Sequence, residues 1–148
     1  MPSSIATSDT VRAVLRWIMA AFFVLAGVLH LRAPDEMLMI MPSFVPYPRE
    51  VIFLTGIFEF IAAAALLTNR FRIRAGVALA LYSLAVWPAN IKHAFEGIHV
   101  AGIPDTWWYH GPRLIAQPLI IWWALYCSGT IDWPWRKGGS ATPPSSSQ

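Results

Sequence analysis

Residues 49–67 read Arg49-Glu50-Val51-Ile52-Phe53-Leu54-Thr55-Gly56-Ile57-Phe58-Glu59-Phe60-Ile61-Ala62-Ala63-Ala64-Ala65-Leu66-Leu67. After Glu50 a single charge, Glu59, interrupts the apolar run. As a helix rising about 1.5 Å per residue, the stretch is long enough to cross the hydrocarbon core of a bilayer. Glu59 then falls near the middle. A carboxylate there costs about 3 kcal/mol or more unless it faces protein, water or a partner. The stretch therefore predicts a transmembrane helix, and it predicts that other helices shelter one acid.

The composition agrees. The chain is 56 % apolar and 13 % charged, against about 25 % charged in a soluble domain. Its eight tryptophans and twelve prolines suit a membrane protein, where tryptophan gathers at the interfaces and proline is tolerated within helices. A net charge of +3 is too small to suggest nucleic acid. Cys127 is the one cysteine, so dithiol chemistry within the chain is excluded.

Working outward from residues 49–67, three more apolar stretches predict an all-α, four-transmembrane-helix bundle with spans at about 11–31, 49–67, 75–94 and 113–131. Residues 1–10 are polar and expected to fray, 11–135 form the transmembrane domain, and the Ser/Pro/Gly-rich 136–148 is expected to be a disordered tail. The first span has a rival reading as a cleaved signal peptide, with Val24-Leu25-Ala26 as the cleavage site. Pro34 followed by Asp35 and Glu36 opens a short helix to Met41 at the interface between spans 1 and 2. Residues 95–112 are an outer loop, anchored by Trp107-Trp108-Tyr109, and Trp133 and Trp135 anchor the exit of the last span. With four spans, one side holds Arg12, Arg16, Arg70, Arg72, Arg74, Arg136 and Lys137, and the other Arg32, Arg49, Lys92 and Arg113. Seven basic residues against four place both termini in the cytoplasm.

Each span carries small or polar residues at helical spacing, as helix packing in lipid requires. They are Ala20, Gly27 and His30; Thr55, Gly56, Glu59, Ala62 and Ala63; Gly76, Ala80, Ser83, Trp87 and Asn90; and Arg113, Gln117, Ala124 and Cys127 or Ser128. His30, Asn90, Arg113 and Gln117 fall in the non-cytoplasmic third of their helices, with Glu59 deeper. This predicts a polar-floored cavity open to that side with Glu59 at its base. Glu59, His30, Arg113, Asn90 and Gln117 are the candidate ligand-binding or proton-relay residues. No catalytic residue can be named.

Each of these also has a plain structural reading. Glu59 paired with Arg113 or His30 would pin helix register. Asn90 after Pro88, and Gln117 before Pro118, would satisfy carbonyls freed by the prolines. Cys127 is a small packing residue. His93, His99 and His110 are irregularly spaced and predict no metal site.

The ordered set Gly27-Val28-Leu29-His30 with Pro34, then Pro42 and Pro46, Thr55-Gly56-Ile57-Phe58-Glu59, Trp87-Pro88-Ala89-Asn90-Ile91 and Arg113-Leu114-Ile115-Ala116-Gln117 resembles the DoxX-like small bacterial membrane proteins, over residues 12–126. The resemblance implies a multi-pass protein of the inner (plasma) membrane. Some members of that family are associated with quinone-linked thiosulfate oxidation and others with thiol or oxidative-stress complexes. With no paired cysteines here, a thiol role requires a partner that supplies them.

Three functions follow. The first is an accessory subunit, not an enzyme on its own, that binds a small quinone-like or lipid ligand in an apolar bundle with a few converging polar groups. The second is a membrane subunit of a quinone-linked oxidoreductase, with Glu59 as proton relay. The third is a small transporter. No cofactor motif is evident beyond a possible quinone. The expected partners are the lipid bilayer and a membrane or redox protein.

Overall fold

No proline or glycine falls between Ser3 and Ala26, and the first helix, α1, runs unbroken over Ser3–Arg32. The computed structural model of the chain describes residues 3–99, 104 and 106–133. The described residues form five helices and no strand. The N-terminal stretch expected to fray is helical from Ser3, because nothing in its sequence stops α1 from extending. The tail at 136–148 and Trp135 lie outside the described residues.

Proline sets the next two boundaries. Pro34 opens the short α2, Pro34–Ile40, with Asp35 and Glu36 in its first turn, where proline and acids belong. Pro48 opens α3, Pro48–Leu67. Tyr47 before it is left-handed, with φ 50°. A turn at residues 68–71 leads into α4, Arg72–Phe95.

The last helix, α5, covers Trp107–Ser128. It starts six residues earlier and ends three residues earlier than the expected span of 113–131. Pro112 was expected to close the preceding loop; it lies inside the helix instead, as does Pro118. Interior proline costs a backbone bond, and helices packed in a bundle tolerate that loss. The end of α5 is set by Gly129, at φ 84°. Its N–H bonds the Tyr126 carbonyl at 3.1 Å, and the Thr130 N–H bonds the Leu125 carbonyl at 2.9 Å, which is a Schellman closure.

The main helix pairs are α1 with α3 and α4 with α5, and α3–α4 and α1–α5 contacts close the bundle. Early residues of α4 meet late residues of α5. A Cβ on Gly76 would lie 2.2 Å from Ser128 Oγ, Gln117 bonds Ser83, and Arg113 bonds Asn90. The two helices are therefore antiparallel. At one end of the bundle α2 meets the start of α3 through Asp35 and Arg49, 2.7 Å apart. Lys92 Nζ, late in α4, bonds the Met41 carbonyl at 2.7 Å at that same end. At the other end Arg16 of α1 bonds the Cys127 carbonyl of α5 at 3.1 Å.

The core between these ends is thin. It consists of Met19, Ala20, Phe23, Ala62, Ala63, Leu66, Ala75, Leu79, Ala80, Ala124 and Cys127. Many large apolar side chains point outward instead, among them Leu54 at 62 %, Ile61 at 64 %, Leu81 at 62 % and Leu119 at 60 % exposure.

Two of the described helices are long and apolar enough to cross a membrane: the Asp9–Arg32 part of α1, and α3. Of the four spans read from the sequence, the first two meet this measure and the last two do not. α4 carries Arg72, Arg74, Asn90, Lys92 and His93, and α5 carries His110, Arg113 and Gln117 besides two prolines. Those polar groups dilute the apolar length of each helix.

Candidate functional site

The site begins at two glycines. A Cβ on Gly27 would sit 3.0 Å from the Gly56 carbonyl oxygen, and one on Gly56 would sit 3.3 Å from the Gly27 carbonyl oxygen. Only hydrogen side chains let α1 and α3 approach so closely. His30 follows Gly27 by three residues and Glu59 follows Gly56 by three, so each lies about one turn away on the same face of its helix. The close approach brings them together, with His30 Nδ1 3.0 Å from Glu59 Oε2.

Glu59 belongs to the buried stripe of α3, Ile52, Gly56, Glu59, Ala62, Ala63 and Leu66, and is 1 % exposed. Its other oxygen, Oε1, accepts from the Tyr82 hydroxyl of α4 at 2.7 Å. The Tyr82 ring packs on Phe58 and Phe23, with centroids at 5.2 and 6.3 Å. Two other helices, α1 and α4, thus supply one carboxylate of α3 with partners. His30 Nδ1 also lies 2.9 Å from the Ala26 carbonyl oxygen. Facing two oxygen acceptors, Nδ1 holds the proton. It is shared between them: the Ala26 carbonyl takes the aligned bond, and Oε2 has an ion-pair contact without aligned hydrogen-bond geometry.

A second polar group lies further along α4. Asn90 follows Tyr82 by eight residues, roughly 12 Å along the helix. Arg113 Nη2 donates to Asn90 Oδ1 at 2.6 Å, and Nη1 donates to His93 Nδ1 at 2.7 Å. A guanidinium has no lone pair to offer, so His93 Nδ1 is the acceptor and carries no proton. The two histidines are therefore held in opposite states at the same ring atom. The His110 ring meets the His93 ring edge-on at 4.8 Å, and both residues are buried. Between the two groups, Gln117 Nε2 donates to the Ser83 carbonyl at 3.1 Å.

The five residues singled out in the sequence thus fall into three sets. His30 and Glu59 meet; Asn90 and Arg113 meet; Gln117 bridges α5 to α4. Arg113 is not the counter-ion of Glu59, because its guanidinium is taken up by Asn90 and His93. Asn90 and Gln117 do not serve carbonyls of their own proline-interrupted helices; both bond across the α4–α5 contact.

Glu59, expected at the base of an open cavity, is 1 % exposed. Among the surface clefts are one of about 390 Å³ lined by Arg49, Glu50, Phe53 and Leu54, and one of about 260 Å³ lined by Asp9, Arg12, Arg16, Arg72 and Gly129. Neither reaches Glu59, which Tyr82 and its aromatic neighbours cover.

Sequence reasoning missed Tyr82, and weighed His93 and His110 only as metal ligands. Tyr82 sits beside Ser83 in an apolar run and looks like a packing aromatic; the signal was its hydroxyl, which needs a partner when buried. His93 follows Asn90 by three residues, and His110 precedes Arg113 by three. That spacing puts each pair on one helix face, the second pair once α5 is known to begin at Trp107. Among the described residues no group of three His, Cys, Asp or Glu side chains is placed to hold a metal ion.

An all-helical protein with a buried, three-helix carboxylate site is the class that the fold and the site define. The chain belongs to the family described as Domain of unknown function (DUF8561), whose model matches residues 19–128. That range includes every side chain of both polar groups. No curated protein and no solved structure matches the chain.

Proposed function

We propose that the chain is a membrane-embedded accessory subunit that binds a small quinone-like or lipid ligand next to the His30–Glu59–Tyr82 group. In this reading all four long helices cross the inner membrane, both termini are cytoplasmic, and α2 lies at the opposite interface. The resemblance to DoxX-like proteins favours it. So does the outward-facing apolar surface: only 22 % of the apolar window of α1 and 33 % of that of α3 are buried within the molecule, where a soluble protein's core helix would be mostly covered.

The observation that carries the ligand reading is Glu59. It is an acid at 1 % exposure, held by two groups that can each exchange a proton, His30 and Tyr82. A bundle that needed only register could use an amide or an apolar pair at lower desolvation cost. A quinone headgroup has carbonyl and hydroxyl oxygens that such a group can bond and protonate. Its apolar tail suits the surface that α1 and α3 present.

The test is extraction. Full-length protein purified in mild detergent should carry isoprenoid quinone or a defined lipid at near-stoichiometric amount, and Glu59→Gln should lose most of it while remaining folded. Equal content in both proteins would leave Glu59 as a packing and register element.

A further inference from the structure

Three guanidinium groups share one cleft at the end of the bundle away from His93. Arg12 and Arg16 lie one turn apart on α1, and Arg72 opens α4. With Asp9 and Gly129 they line the cleft of about 260 Å³. Two of the three are built in. Arg12 Nη2 donates to the Ile131 carbonyl at 3.3 Å and pairs with Asp132, and its guanidinium sits 4.6 Å over the Tyr126 ring. Arg16 Nη1 donates to the Cys127 carbonyl at 3.1 Å. The Arg72 side chain makes no hydrogen bond or ion pair with the described residues. It nevertheless lies close enough to Arg16 that their like charges repel, as do those of Arg12 and Arg16.

Like charges held together in a partly enclosed cleft call for an anion. The count limits which one: Arg12, Arg16 and Arg72 against Asp9 and Asp132 leave one positive charge. Guanidinium forks match phosphate oxygens better than an ammonium does. On the same turns of α1, Val14, Trp17 and Ile18 are exposed, ready to lie along acyl chains. We propose that this cleft binds the phosphate of a singly charged phosphodiester, the chemistry of an anionic glycerophospholipid head. The lipid source rests on the membrane placement proposed above; the recognition of phosphate does not.

The experiment uses the full chain purified in detergent, with phosphatidylglycerol or phosphatidylcholine added and bound lipid counted by native mass spectrometry. Wild type should retain phosphatidylglycerol over phosphatidylcholine, and Arg72→Gln should weaken that retention about fivefold, the effect of one basic residue at a membrane surface. Arg72→Lys, which keeps the charge, should hold most of it. Arg72 makes no bond that the fold needs, so the melting temperature without lipid should not change. If inorganic phosphate alone raises the melting temperature of wild type but not of Arg72→Gln, the cleft takes the same group from solution. Equal retention of the two lipids with no response to phosphate, or retention unchanged in Arg72→Gln, overturns the assignment. Quinone content measured on the same samples separates this site from the other. It should be unaffected by Arg72→Gln, and Glu59→Gln should leave phosphatidylglycerol retention intact.

Discussion

Glu59 and His30 meet across the Gly27–Gly56 contact, Oε2 3.0 Å from Nδ1, while Tyr82 holds the other carboxylate oxygen at 2.7 Å. Removing one partner of such a buried pair strands the other. We expect Glu59→Ala to destabilise the protein in detergent by about 3–5 kcal/mol. Tyr82→Phe, which deletes one donor, should cost about 1–3 kcal/mol. A double-mutant cycle over Glu59 and Tyr82 should show coupling above about 0.5 kcal/mol. Additive losses would mean that the two do not interact in the folded protein.

Gly76 is the tightest helix contact described. A Cβ there would lie 2.2 Å from Ser128 Oγ, 2.3 Å from Ser128 Cβ and 2.8 Å from the Ala124 carbonyl oxygen. Gly76→Ala should therefore separate α4 from α5 and lower the melting temperature markedly, with a cost of about 1–3 kcal/mol typical of overpacking. Ser128→Gly should rescue only part of the loss, because the Ala124 backbone remains in the way. Full rescue would show that the side chain alone sets the distance.

Arg113 joins Asn90 and His93 through two nitrogens of one planar group. Arg113→Lys keeps the charge but lacks the fork. It should retain one of the two bonds and lose about 1–2 kcal/mol. Nitrogen NMR of labelled histidine checks the arrangement directly: His93 should show an unprotonated Nδ1 in wild type, and that signature should weaken in Arg113→Lys. An unchanged signature would mean that another donor holds the ring.

Membrane placement is open to a labelling test. In a Cys127→Ala background, cysteines at Arg70 and at Thr106 should react with a membrane-impermeant thiol reagent from opposite faces of sealed vesicles. Reaction from the same face would rule out the four-span arrangement. Recovery of the chain in the aqueous fraction without detergent would remove the membrane altogether.

Much of the helix architecture was legible in the sequence, because it rests on local spacing. Pro34 and Pro48 mark the starts of α2 and α3, and the apolar lengths identify the long helices. The reading failed where proline was taken as a stop. Pro112 lies inside α5, near its start, where the carbonyl it leaves without a helix partner is that of Trp108, an exposed residue. By length and apolar composition only α1 and α3 stand out among the described helices, because the polar residues that α4 and α5 place on their contact dilute their apolar runs. For Glu59 the reading named two partners, His30 and Arg113, and could not choose between them.

By itself, then, the sequence determined that the chain is helical, that it is too apolar to resemble an ordinary soluble domain, and that Glu59 must be sheltered by its neighbours. Only the tertiary structure decided who shelters it. Spacing along one helix tells which residues share a face, but not which residue of another helix stands opposite. That depends on where the helices touch, and a crossing made by glycines with no side chain selects partners a turn away. Thus Tyr82 reaches Glu59, and Arg113 goes instead to Asn90 and His93.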